Sequence, residues 1–545
     1  MATIDGHFLS AVDRFPHRCF LRQVAGDHEA STTYARGAER IAATVEHLRR
    51  LGLAPGDRAV LYLDEVVSSI QLMLACAFAG VTIAPLAPSF SLRALKRLYE
   101  RTGARGIVTT PARASGLSGA IGVKPICYEP PPALREEVHA IDTAWTGSSA
   151  GALEVLRRAS DTHGPDDPYI ILSTSGSTGE PKLVVRSHNA VAGSGDEMLA
   201  MLDLRADEEP PQRLLMCSGL THGMAQRNLA CGLSLAAELS VPEGLESNVS
   251  RDQICRLDPT LVMVSPRVLR ALEEQRLRTR EPSLFGPSIR LVRTSGSAAD
   301  LLLLDRLAEE GVDVGEACGA SEVGPIAVTP RRGWRRGTIG QVMPSVMVRI
   351  SDHGEILVKT PYRMLEYLGD PQLTAASQTE DGFYRTGDLG HLDSDRYLQI
   401  LGRKHDTFNA QDGTNIHPAR LEALIEALPW VQEAILAGDQ RPFVVALIVI
   451  AGAKPSDAGD DGFLDARVEV ERYARAAHDL ARINQELEAV ERIRRFALFA
   501  RAMPRHVTGV TPLGKPKRDR RALLSARGAR IEMLYRGDPG TGVVP

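Results

Sequence analysis

Short apolar strands alternate with helices of about a dozen residues through the first third of the chain, and this rhythm restricts the fold more than any other feature. Apolar residues at helical spacing run over 38–51 and stop at Gly52, with the turn Pro55-Gly56-Asp57 behind them. RAVLYL at 58–63 then predicts a strand, 66–79 a helix stopped by Gly80, and 81–85 a second strand. A helix over 92–102 and a strand over 106–109 continue the series. Strand–helix alternation of this kind predicts an α/β protein, with parallel sheets and helices packed on their faces. The rhythm returns at 169–173, 213–217, 261–264 and 289–294.

Beyond about residue 333 the pattern changes. Segments 337–357 and 397–401 read as paired strands and turns. A helix over 418–428 follows, then strands at 431–436 and 444–450, a long charged helix over 464–493, and a strand at 496–499. This spacing predicts a separate small α+β module, expected to be mobile, with the boundary at Gly402-Arg403: a large N-terminal domain of sheets flanked by helices over 1–401, and a C-terminal domain over 402–545. Segment 452–462 reads as a polar loop and 536–545 as a frayed tail. Hydrophobic residues make up 43% of the chain and charged residues 24%, enough apolar material for large cores. A net charge of −4 gives no sign of a nucleic-acid or anionic-membrane partner. The seven cysteines are scattered without metal-ligand spacing, as expected in a reducing compartment. The start MATIDGHFLSAVDRF lacks a signal pattern, and the most apolar stretch, 70–85, is broken by Gly80 and Pro85. A cytoplasmic protein without a membrane span is expected.

The strongest local signal is STSGSTGEPK at 173–182, directly after the apolar strand. Its hydroxyls and glycines suit neither a strand nor a helix interior. Gly176 and Gly179 permit positive φ, so successive backbone N–H groups can converge on an anion. Thr174, Ser175, Ser177 and Thr178 add hydroxyl donors for phosphate oxygens, and Lys182 adds a positive charge. The Walker A spacing is absent.

TSGSTGEPK resembles the phosphate loop of the acyl-adenylate-forming enzymes: acyl- and aryl-CoA synthetases, nonribosomal-peptide adenylation domains and luciferase. Four more motifs stand in that family's order: ACGASEVG at 317–324, FYRTGDLG at 383–390, GRKHDTF at 402–408 and TPLGKPKR at 511–518. The resemblance implies that ATP and a carboxylic acid react to give an acyl-adenylate and pyrophosphate. It further implies that Lys515, Glu322 and Thr178 form the catalytic set, with Glu322 holding Mg²⁺, a hard cation suited to carboxylate oxygen. Asp388 would accept the ribose hydroxyls and Arg403 would add a nucleotide contact. Gly296, Ser297, Cys318, Gly319, Ala320 and Ser321 would complete the AMP site, and His222, Ser295, Gly296 and Gly319 would line the acyl pocket. His405 falls at the hinge about which the small domain swings in the family.

Three positions depart from the family pattern. Leu183 replaces the Gly that follows the loop lysine. Cys318 replaces a Tyr whose ring stacks on adenine in relatives, a role Tyr384 could take up in part. His405 replaces Asp or Lys. The run HDTFNAQDGTNIHP and the TPLGKPKR ending are similar to acyl-CoA ligases. Three readings follow: a complete ligase that passes the acyl group to coenzyme A, a stand-alone adenylating enzyme that hands it to an acyl carrier protein or a separate ligase, and a non-catalytic nucleotide-binding relative. Segment 224–239, rich in alanine and leucine, predicts an apolar pocket and hence a hydrophobic acyl or aryl acid.

Overall fold

The computed structural model describes residues 2–114, 117–174, 181–297, 299–404, 406–411, 415–453, 459, 461–501 and 520–545. Two sheets enclose a layer of helices. The larger sheet has 13 strands. Its middle is parallel, with Cys19–Ala25, Glu238–Pro242, Arg213–Leu215, Leu261–Val264, Leu291–Ser295 and Asp313–Ala320 side by side. Past Asp313–Ala320 it continues antiparallel through Gly324–Val328, Gly340–Val342, Tyr397–Arg403 and Tyr384–Leu392. The second sheet has 8 strands. Pro168–Thr174, Thr82–Pro85, Arg58–Tyr62 and Gly106–Thr109 are parallel there, and Lys182–Ser187 folds back antiparallel on the first of them.

Helix Val66–Phe78 is buried without a break from residue 70 to 78. An apolar surface all the way round is what a helix needs when it is covered on every side. One core cluster includes its residues together with Leu214 and Leu239 from the larger sheet and Ile83 and Ile170 from the smaller. Helices His188–Met201 and Gly223–Ser234 contribute to the same cluster, which places them against both sheets.

The C-terminal unit is a sheet of Val431–Ala437, Val444–Ile450, Ile493–Phe499, Phe463–Leu464 and Gly542–Val543. Helices Pro418–Glu426 and Val470–Gln485 cover one face, and Gly528–Arg536 the other. The architecture is therefore α/β with a smaller α+β C-terminal unit, as the sequence predicts.

Two local expectations need correction. The helix expected over 464–493 spans only Val470–Gln485. Leu464 is fully buried in a strand opposite Leu498, and the Asp465 carboxylate then accepts from Arg467 N–H, making a turn before the helix starts. At the other end the Asn484 side chain bonds both the N–H and the C=O of Ile493, which turns the chain back into the sheet. The expected frayed tail is also ordered: Gly542–Val543 pairs with Arg495 and Phe496, and Thr541 and Val544 are buried. A Cβ on Gly542 would stand 2.3 Å from the Phe496 ring, so the strand docks only where a side chain is missing.

Candidate active site

The loop after Pro168–Thr174 returns as Lys182–Ser187, and Thr174 pairs with Lys182 across the hairpin. Both ends of the segment expected to bind an anion are thus held side by side. Ser175, Gly176, Ser177, Thr178 and Gly179 lie outside the described residues, as do Lys515 and His405.

Lys182 places its ammonium 5.0 Å from the centre of the Tyr367 ring, within cation–π reach. The Tyr367 hydroxyl donates to Glu322 Oε1 at 2.8 Å and stands 3.3 Å from the Tyr384 hydroxyl. Burial first, and then the neighbouring Glu322 charge, push both phenols well above their usual range, so both remain donors. Tyr384 thus takes part in a hydroxyl–carboxylate cluster around Glu322.

Glu322 sits on the tight connection between Asp313–Ala320 and Gly324–Val328. Two glycines of this motif have steric reasons. A Cβ on Gly319 would lie 2.3 Å from the Gly324 carbonyl oxygen, and Gly324 has φ +73° with the Arg186 guanidinium 2.9 Å from its missing Cβ. Arg186 is buried and donates to the carbonyls of Ser321 at 3.4 Å and Tyr362 at 3.0 Å, and to that of Ala190. It ties the Glu322 turn to helix His188–Met201. No motif pointed to Arg186; its only sequence signal is a charge at the end of the apolar run LVV in strand Lys182–Ser187.

Asp388 and Arg403 are register partners on adjacent antiparallel strands, and Arg403 Nε meets Asp388 Oδ1 at 3.0 Å. Arg403 is 55% exposed and Asp388 23%, so the pair borders open space. Thr386 Oγ1 accepts from Asp388 N–H at 3.0 Å, and the Thr386 carbonyl accepts from Arg403 Nη1 at 3.2 Å. Buried Glu355 binds Gly387 N–H at 3.2 Å and Lys404 Nζ at 3.0 Å, fastening both strands.

A cleft of about 660 Å³ opens beside this pair. Ser297, Glu316, Cys318, Asp388 and Arg403 line one side, and helices Pro418–Glu426 and Val470–Gln485 line the other. Burial pushes the Cys318 thiol up to about 12, so it faces the cleft as a small neutral group. Glu316 was not anticipated. Burial raises its carboxyl to about 7, opposed by a hydrogen bond from the Ala299 backbone.

A second cavity of about 200 Å³ is lined by His222, Ser295, Ala320 and Ser321, with Arg186 and Arg227 in its wall. Gly296 and Gly319 border both spaces, so the two meet there. Gly296 has φ +96°, a conformation that favours glycine and lets backbone form the junction. His222 stands at the N-cap of Gly223–Ser234 without a side-chain capping bond. The apolar wall expected of this segment is not what borders the cavity: Ala225 and Leu229 pack in the core, and the helix lines the space with Gly223, Met224, Gln226 and Arg227, because its apolar face turns to the sheets.

A family model of the AMP-binding enzymes matches residues 8–368, and one of the AMP-binding enzyme C-terminal domain matches residues 405–537. The chain belongs to the AMP-binding enzyme family. An indoleacetate–CoA ligase of Aromatoleum aromaticum is 32% identical over 54% of this chain and 60% of that relative. A long-chain-fatty-acid–CoA ligase of Mycobacterium bovis is 26% identical over 92% of both chains. A fatty acid–[acyl-carrier-protein] ligase of Streptomyces coeruleorubidus is 28% identical over 75% of this chain and 80% of its own. The AMP-binding fold is shared with the amide bond synthetase McbA of Marinactinospora thermotolerans at TM-score 0.73 and 24% identity, covering 97% of this chain and 99% of that one. ATP-bound MatB of Rhodopseudomonas palustris aligns at TM-score 0.72 and 22% identity, covering 96% and 99%.

Proposed function

We propose that this member of the AMP-binding enzyme family activates a carboxylic acid with an acyl or aryl body. The carboxylate attacks the α-phosphorus of ATP, pyrophosphate leaves, and the acyl-adenylate passes its acyl group to the thiol of coenzyme A. One observation carries the reading. The cleft bordered by Asp388 and Arg403 and the cavity bordered by His222 and Ser295 meet at Gly296 and Gly319, where a nucleotide and an acid would come together.

In this reading Asp388 accepts the ribose hydroxyls, with Arg403 holding its carboxylate in place. Thr174, Lys182 and the residues between them take the phosphates, while Ser297, Cys318, Ala320 and Ser321 complete the AMP site. Glu322 suits Mg²⁺, because its carboxylate is held by a tyrosine hydroxyl rather than neutralised by a cation within ion-pair distance among the described residues. A magnesium ion there would screen the phosphate charge. Lys515, carried by a C-terminal domain over 402–545 that turns about His405, neutralises the carboxylate and α-phosphate as they meet. Among the described residues no helix is long and apolar enough to cross a membrane.

The carrier-protein ligase among the relatives supports a second reading, in which the thiol belongs to an acyl carrier protein. Acid-dependent exchange of labelled pyrophosphate into ATP tests activation, and thioester yield with coenzyme A against acyl carrier protein separates the two acceptors. Absence of exchange with every acid would overturn the reading.

A further inference from the structure

Arg227 is a buried cation without a partner among the described residues. It is the fifth residue of helix Gly223–Ser234, is 8% exposed, and lines the cavity of about 200 Å³. Its Nε is buried without a partner, and among the described residues neither a hydrogen bond nor a carboxylate acts on it. The other deeply buried arginines among the described residues are paired. Arg186 donates to carbonyls, Arg293 binds Asp313 at 3.0 Å, and Arg527 donates to the Asp461 carbonyl at 2.6 Å.

A guanidinium does not shed its proton in a protein, and an unpaired buried charge is strongly destabilising. Burial lowers the Arg227 pKa, opposed by the nearby Cys231 and Cys318 thiols. Both thiols are themselves pushed up to about 12 by burial, so they are neutral and offer no counter-charge. Arg186 brings a second positive charge to the same cavity wall. Glu246 also borders the cavity, with its carboxylate turned to Gly219 N–H at 3.4 Å. Arg186 has the Glu322 charge nearby, so Arg227 is the cation of the cavity wall without a counter-charge of its own among the described residues, on the acyl side of the junction at Gly296 and Gly319.

We propose that the acid activated by this enzyme is a dicarboxylic acid, whose second carboxylate pairs with Arg227 while the first reacts at the junction. The inference rests on the acid-activating reading above. A guanidinium fork matches a carboxylate bidentately, and the pairing supplies the charge that the folded chain lacks. Size narrows the class further. A protein cavity of about 150 Å³ accommodates benzene, so one of about 200 Å³ suits a single ring or a short chain. The substrate class is a benzenedicarboxylic or short aliphatic diacid.

Pyrophosphate exchange with matched pairs tests this: isophthalate or terephthalate against benzoate, and glutarate or adipate against valerate. Wild type should favour the diacid of a pair by about 100-fold in kcat/KM, the effect expected of one buried charge pair. Arg227→Met should abolish that preference, and Arg227→Lys should restore part of it. A neutral acid preferred by wild type, or a diacid-to-monoacid ratio unchanged in Arg227→Met, overturns the inference while leaving acid activation standing. Exchange with no acid at all overturns both. The wild-type ratio decides the matter even if the variants do not fold. Thermal shift is a second readout: a diacid should raise the Tm of wild type and leave that of Arg227→Met unmoved, and equal shifts count against the proposal.

Discussion

Replacing Glu316 by Gln should stabilise the protein at alkaline pH and not at acid pH. Burial holds the Glu316 carboxyl at about 7, against 4.5 for the free side chain. The folded state therefore binds its proton more tightly than the unfolded state does. Stability from this group is fully present below pH 4.5 and is lost as pH rises through about 7. At about 1.4 kcal/mol per pH unit, the displacement amounts to about 3 kcal/mol at pH 8. Glutamine keeps the shape and removes the charge, so the variant escapes the penalty. Urea unfolding of the unliganded large unit, followed at pH 4.5 and pH 8, measures the difference. The expected outcome is near-equal stability at the lower pH and a variant more stable by about 2–3 kcal/mol at the higher. A difference independent of pH would refute the argument, because a packing effect alone does not titrate.

Lys515→Ala should lower acid-dependent pyrophosphate exchange about 100- to 1,000-fold while ATP affinity by calorimetry stays near that of wild type, since its contact belongs to the transition state; full exchange would remove Lys515 from the mechanism. Gly319→Ala should cost about 1–3 kcal/mol of stability and most of the exchange activity, because the new methyl stands 2.3 Å from the Gly324 carbonyl oxygen and displaces the turn carrying Glu322; unchanged Tm and activity would contradict that steric reading.

The alternation of strands and helices was legible because central parallel strands such as Leu261–Val264 and Gly106–Thr109 are buried on both faces and read as short, mainly apolar runs. The helix ends near Asn484 were not legible, because a single side-chain amide bonding Ile493 carries no periodic signal. The tail strand Gly542–Val543 is too short for a pattern and exists only through its pairing with Arg495 and Phe496. Within the site, motif spacing pointed to Glu322, Asp388 and Arg403, since each stands in a local run with glycines. Arg186, Glu355 and Glu316 escaped notice: the first two act mainly through partners more than thirty residues away and the third through burial, and neither appears in local sequence. Arg227 was passed over for the same reason. Composition gave its helix an apolar character, whereas only the fold shows that its cation lacks a counter-charge.

Oxygen isotope transfer tests the central claim most directly. The account has a carboxylate oxygen form the bond to the α-phosphorus, and the later thiol attack at the carbonyl carbon leave that oxygen on AMP. With the acid labelled in its carboxylate by oxygen-18, and ATP and coenzyme A supplied, mass spectrometry of the products should find one labelled oxygen in AMP and none in pyrophosphate. Label in inorganic phosphate, or AMP formed without label, would contradict acyl-adenylate formation by this enzyme.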